Sequence, residues 1–221
     1  MDRRIFLQGR ERKALIIIDI QNDFCPGGAL AVPEGDKIIP KINELSKRFK
    51  RVIATQDWHP KNHISFAYNH PGKKEYEVIN YKGISQVLWP IHCVSGTKGA
   101  EFHPDLITTN FNLIIRKGNN PKIDSYSAFR ENDKKTITGL EGYLRAINIE
   151  EVYLCGLALD YCVFYSAMDA KELGFTTYVI IDATKGINSP LGNVKKCLNI
   201  MKEKGIKIIE SKNLGGKNAT H

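Results

Sequence analysis

Residues 14–18 form an unbroken apolar run, Ala14-Leu15-Ile16-Ile17-Ile18, that ends on an acid, Asp19, before Ile20. A strand with one wet face alternates apolar and polar residues. A strand with no wet face reads as a continuous run rich in branched aliphatics, the mark of a parallel sheet covered on both sides. Shorter runs at 51–55, 111–115, 152–156, 177–181 and 206–209 repeat the pattern. Helical spacing lies between most of them. Asp36 is placed to cap a helix carrying Ile38, Ile39, Ile42, Leu45 and Phe49, with Pro40 near its first turn, where a missing N–H costs little. A second helix is expected over 140–147. Asp160 is placed to cap a third over 161–173, closed by Gly174, and Ser189-Pro190 opens a fourth that Gly205 stops near 204. Strands alternating with helices predict an α/β fold: three layers, with a six-stranded, mostly parallel sheet and helices on both faces.

The 221 residues suit one domain over 1–221. The stretch of about 57–110 breaks the alternation. It is rich in Pro, Gly, Asn and His, and reads as a long excursion over the sheet edge, a feature that in compact domains is usually functional. Residues 213–221 read as a flexible tail.

Composition narrows the function classes. Five cysteines, Cys25, Cys93, Cys155, Cys162 and Cys197, are widely spaced with no CxxC pair. Their odd number argues against a disulfide framework and for a reducing cytoplasm. The charged N-terminus carries no apolar signal core. No apolar run approaches the ~20 residues of a membrane helix. A net charge of +8 raises nucleic-acid binding as an option. The basic residues are dispersed and have no aromatic-interleaved motif, so a solvated basic surface is the better reading.

Ligands of open parallel sheets bind beyond the carboxyl ends of the strands. Four successive candidate strands deliver polar residues to that rim: Asp19, then Asp57-Trp58-His59, then Lys117, then Cys162. Cysteine alone is more often buried packing than chemistry. Beside an acid and a lysine it becomes a candidate nucleophile. A helix N-terminus and a nearby cation would favour its thiolate, and Asp19 would move its proton. Asp57-x-His59 points a carboxylate and an imidazole the same way along extended backbone. With His63 and His92 they form a candidate site for one divalent ion, Zn²⁺, Fe²⁺ or Mn²⁺, and the ligand types do not choose among these. Cys93 beside His92 is set aside because cysteine-built sites rarely use a single thiolate. His70 and His103 stand outside the dense polar cluster. Phe24, Trp89 and Tyr126 flank these motifs and are candidates to wall a flat ring pocket; ordinary packing is the plainer reading of each alone.

The ordered segments Asp19-Ile20-Gln21-Asn22-Asp23-Phe24, Thr55-Gln56-Asp57-Trp58-His59-Pro60, Trp89-Pro90-Ile91-His92-Cys93-Val94-Ser95-Gly96-Thr97, Arg116-Lys117-Gly118 and Gly156-Leu157-Ala158-Leu159-Asp160-Tyr161-Cys162-Val163 resemble the nicotinamidase/pyrazinamidase family, within the isochorismatase-like cysteine hydrolases. The resemblance covers roughly residues 14–210. It implies a triad of Asp19, Lys117 and Cys162, an oxyanion hole from the amides of Ala158 and Cys162, and a cis peptide beside that loop. It implies metal ligands Asp57, His59 and His92, with zinc the first expectation, and His63 at a position that ligates in some members only. The metal binds the substrate's pyridine nitrogen in the family, and the ring pocket maps to Phe24, Trp89 and Tyr126. The implied activity is hydrolysis of nicotinamide to nicotinate and ammonia, feeding NAD salvage, with pyrazinamide as a second substrate. The implied partner is this small molecule, with no nucleic acid and no membrane, and a homo-oligomer is left open. The segments 118–126 and 68–83 differ in length from compact relatives. Two other readings stand beside this one: a related amidohydrolase with a different small amide, and a non-catalytic binding protein on the same scaffold.

Overall fold

The computed structural model describes residues 12–214. The predicted tail therefore falls, from 215 onward, outside the described residues. Six parallel strands form one sheet in the order β5-β2-β1-β6-β7-β8. They are β1 (Lys13–Ile18), β2 (Val52–Asp57), β5 (Leu113–Lys117), β6 (Glu151–Leu157), β7 (Thr176–Lys185) and β8 (Lys207–Ile209). Inside the excursion, β3 (Val78–Tyr81) and β4 (Ile84–Val87) pair antiparallel as a separate hairpin.

Strand β1 lies at the sheet's centre, paired with β2 on one side and β6 on the other, which explains its continuous apolar run. Leu15 and Ile17 enter one core with Ile39, Ile42 and Leu45 of α1 (Ile39–Ser46). Ala14, Ile16 and Ile18 enter the opposite core. There they meet Leu140 and Leu144 of α2 (Leu140–Ala146), Ala167 and Ala170 of α3 (Phe164–Glu172), and Met201 of α4 (Asn193–Glu203). Each buried aliphatic is worth roughly 1.5–3 kcal/mol relative to exposure. The predicted three-layer α/β architecture is the one observed.

Local boundaries differ from expectation in instructive ways. Strand β1 ends at Ile18, and Asp19 turns out of it in the left-handed region at φ 49°. Asp36 lies within a 3₁₀ turn (Gly35–Ile38) that leads into α1, so it is not the cap of that helix. Strand β7 runs on to Lys185, past a register shift against β6 between Leu154 and Gly156. Helix α4 starts at Asn193 behind Gly192, three residues after Pro190. No helix among the described residues is long and apolar enough to cross a membrane.

Candidate active site

The polar residues converge because parallel pairing aligns the strand ends. Asp57 and Lys117 are direct cross-strand partners on β2 and β5. Asp19 leaves the neighbouring strand at the same rim. Cys162 lies in a single π-helical turn, Leu159–Val163, between β6 and α3. A lysine ammonium has three hydrogens to donate. Lys117 Nζ shares them among four acceptors: Asp57 Oδ1, Asp19 Oδ2 at 2.9 Å, the carbonyl of Ser125 at 3.0 Å and Cys162 Sγ at 3.4 Å. Asp19 Oδ1 accepts from Thr55 Oγ1 at 2.5 Å, which fixes the carboxylate plane. One oxygen of Asp19, one of Asp57 and the sulfur of Cys162 lie within 4.8 Å of one another. Of the two carboxylates, Asp19 is the one hydrogen-bonded to the thiol.

Electrostatics follow from total burial. Desolvation pushes the Asp19 carboxyl up, against the opposing attraction of Lys117 and with help from Asp57. Desolvation acts on Asp57 in the same direction, but Lys117 and His59 overcome it and hold that carboxyl well below the usual range. Burial works against the Lys117 ammonium, and the two carboxylates outweigh it and keep it charged. The expected low-pKa thiolate does not hold. Burial lifts the Cys162 thiol well above its ordinary value; Lys117 pulls it down, but Asp19 and Asp57 push it up. The sulfur rests protonated beside a base. Asp160 is also not the predicted cap: no side chain caps the turn, and the Asp160 carboxylate instead accepts from the amides of Ile187 and Asn188, both at 2.9 Å.

The metal candidates divide. Asp57 Oδ2 faces His59 Nε2 at 3.5 Å and His92 Nε2 at 3.7 Å. These three buried residues bring their ligand atoms within 4.8 Å of one another. His59 Nδ1 is bound to the Gly118 carbonyl at 3.0 Å and His92 Nδ1 to the Pro90 carbonyl at 2.7 Å. With Nδ1 donating to a carbonyl, each ring turns Nε2 inward toward Asp57 Oδ2, the outer-shell arrangement of metal-ligating histidines. The buried cluster holds two carboxylates and one ammonium, an excess of negative charge that a divalent cation offsets. Donor set and charge therefore fit a zinc-class ion. His63 stacks on His59 at 4.1 Å between ring centroids. Its nitrogens are taken by Ser65 Oγ at 2.7 Å and the Ile123 carbonyl at 3.3 Å. It groups with His59 and Asp124 instead of with Asp57 and His92.

Phe24, Trp89 and Tyr126 line one pocket with Ala158, Cys162, Asp57 and His92. The space between its lining atoms, counting the open mouth to solvent, is about 340 Å³. Trp89 Nε1 donates to Tyr126 Oη at 3.1 Å, fixing two walls to each other. Sequence reasoning missed a further wall, Tyr161 with Ile187: Tyr161 stands beside Cys162 in a quoted motif, whereas Ile187 stands in no distinctive pattern. It also missed Thr55 and Gln21. Gln21 donates to the Asp57 carbonyl and accepts from the Asp57 amide, both at 2.8 Å, and so locks one rim segment to the other. Both residues stand inside the quoted motifs, and that placement was the available signal. At the π-helical turn, the amides of Tyr161 and Val163 donate to the Ala158 carbonyl. The Leu157–Ala158 peptide is cis. The Cys162 amide lies in the first turn of the helical segment, where N–H groups lack intrahelical partners.

Comparison with known proteins agrees with this geometry. A family model described as the isochorismatase domain matches residues 13–213. The nicotinamidase of Acinetobacter baylyi is 50% identical, covering 91% of this chain and 94% of that protein. The solved structure of an Acinetobacter baumanii nicotinamidase/pyrazinamidase superposes with a TM-score of 0.91 at 52% identity, over 94% of this chain and 99% of that one. A pyrazinamidase of Pyrococcus horikoshii, solved in complex with zinc, is 42% identical with a TM-score of 0.74, over 90% of this chain and 99% of that one. With its sheet order, its strand-end cluster and these likenesses, the chain belongs to the isochorismatase-domain family, on its nicotinamidase/pyrazinamidase branch.

Proposed function

We propose that the protein is a nicotinamidase, hydrolysing nicotinamide to nicotinate and ammonia through a thioester on Cys162, and that it accepts pyrazinamide as well. The observation that carries the reading is the buried cluster at the strand ends, where Asp19 and Lys117 meet the Cys162 sulfur beside the Asp57, His59 and His92 donors. Relatives with the nicotinamidase name at this identity and coverage support the substrate.

Asp57, His59 and His92 would hold the ion, zinc by analogy with the Pyrococcus protein, and a bound zinc would take the ring nitrogen as a ligand. The ring then lies between Phe24, Trp89 and Tyr126 with its carboxamide toward Cys162. Asp19 takes the thiol proton as sulfur attacks the amide carbon. The amides of Ala158 and Cys162 receive the oxyanion, an effect worth about 3–4 kcal/mol per donor in other hydrolases. Asp19 returns the proton to the departing nitrogen, which leaves as ammonia. It then takes a proton from water, which adds to the thioester. Collapse releases nicotinate, and the sulfur recovers its proton from Asp19. Lys117 keeps its charge throughout, holding the two carboxylates and the sulfur around one ammonium. The place of action we assign is the cytoplasm, supplying nicotinate to NAD salvage.

Ammonia release from nicotinamide tests the reading. Wild-type protein should turn over, lose activity on chelation and regain it with zinc. Cys162→Ala should retain metal and fold yet show no turnover. Full activity in that variant, or none in zinc-loaded wild type, would sink the proposal.

A further inference from the structure

Asp160 stands in the turn that carries Cys162 and is 2% exposed. Among the described residues its carboxylate accepts hydrogen bonds from one segment. Oδ1 accepts from the Ile187 amide and Oδ2 from the Asn188 amide, both at 2.9 Å, and Asn193 Nδ2 adds a third donor to Oδ2 at 3.2 Å. Tyr161, the next residue, donates its hydroxyl to the Ser189 carbonyl at 2.8 Å. The close approach is built in. A Cβ on Gly186 would stand 2.8 Å from Asp160 Oδ1 and 2.4 Å from Val194 Cγ2. At the segment's tip Leu191 is 93% exposed. Yet Ile187 and Tyr161 both line the pocket that contains Cys162, and the Tyr161 ring packs edge-on against Trp89 at 4.8 Å.

We propose that Asp160 is a positioning residue that latches segment 186–193 onto the nucleophile's own turn and so sets how closely the pocket wall of Ile187 and Tyr161 meets the substrate ring. The proposal rests on the nicotinamidase reading for its substrate, though not for the latch itself. A buried carboxylate needs its donors, and charge-assisted hydrogen bonds are the strong ones. Asn at 160 keeps the shape but turns an N–H₂ toward one of two amides, so one end of the latch opens. The thiol and its base stay untouched, because Asp160 contacts neither.

Steady-state kinetics on nicotinamide with the zinc-loaded full chain tests this. Asp160→Asn should raise KM about tenfold, the worth of one lost charged hydrogen bond, with a much smaller change in kcat. The pH profile of Cys162 alkylation by iodoacetamide should superimpose on that of wild type. Tyr161→Phe, which keeps the ring and cuts only the hydroxyl tie, should shift KM in the same direction, and stands in if Asp160→Asn does not fold. An unchanged KM overturns the latch. So does a shifted alkylation profile, which would place Asp160 on the thiol. If wild type does not hydrolyse nicotinamide, the substrate reading fails separately. Amide hydrogen exchange at Ile187 and Asn188 then decides: acceleration in Asp160→Asn upholds the latch, and unchanged protection overturns it.

Discussion

Asp19 works only while ionised, since it must accept the thiol proton. Burial raises its pKa above the ordinary carboxylate range. As pH falls through that raised value the base is lost, so kcat/KM should show an acid limb centred above the ~3.9 of a free aspartate. A rate profile flat down to that pH would contradict the assignment of the base. Glu131 offers a second, independent titration. It is 8% exposed, and burial followed by Asp133 and Asp124 lifts its carboxyl to about 7. Its native pKa is higher than its unfolded one, so the native state binds the extra proton. Stability contributed by that proton is fully present below the unfolded value near 4.5 and is lost as pH rises through about 7. Glu131→Gln should therefore be more stable than wild type at pH 8, by about 1–3 kcal/mol. The difference should vanish near pH 4, as read by thermal melts at both pH values; a constant difference would refute the shift.

At the scale of elements, the site depends on what directly follows each strand. Strand β5 presents Lys117 inward at its last position, and Gly118 then turns with φ +69° while its carbonyl holds His59. A Cβ there would lie 2.4 Å from His59 Cε1. Gly118→Ala is expected to cost about 1–3 kcal/mol in backbone strain alone and to push His59 off the Asp57 and His92 donors. Metal content by elemental analysis should fall, and stoichiometric zinc in the purified variant would refute this. The excursion follows the same logic. His92 reaches the site because the backbone at His59 pairs with the segment at Val94, His59 N donating to the Cys93 carbonyl at 3.0 Å. A stretch without regular alternation is anchored to the rim by isolated bridges, at His59–Val94 and again at Gln21–Phe102.

For the whole molecule, the buried excess of negative charge links metal binding to folding. An ion bound only by the native state stabilises it by mass action, about 2.7 kcal/mol when free metal is a hundredfold over Kd. For a domain of this size that corresponds to on the order of 5–10 °C in Tm. Zinc-loaded protein should melt that much higher than chelated protein, and identical melting curves would show that Asp57, His59 and His92 hold no ion. The rest of the stability resides in two cores on either side of β1, and the pocket is walled by residues of both, Phe24, Trp89 and Ala158 from one and Cys162 from the other.

The layering was legible in the chain itself, since a strand buried on both faces has only apolar residues to offer, and 14–18 say so. The rim was legible too: parallel strands expose their carboxyl ends together, so Asp19, Asp57, Lys117 and Cys162 could be placed on one edge before any contact was known. Other features were decided by tertiary structure alone. How Lys117 is shared between the two carboxylates and the sulfur is settled by ångström distances between strands that sequence spacing does not encode. The thiol's rise in pKa comes from burial among groups far apart in the chain, and reverses what a helix start and a nearby lysine suggest locally. The role of Asp160 changed for the same reason. A capping position is a local pattern, but its partners at Ile187 and Asn188 are supplied by the return of the chain from β7, and that long-range contact outcompeted the local one.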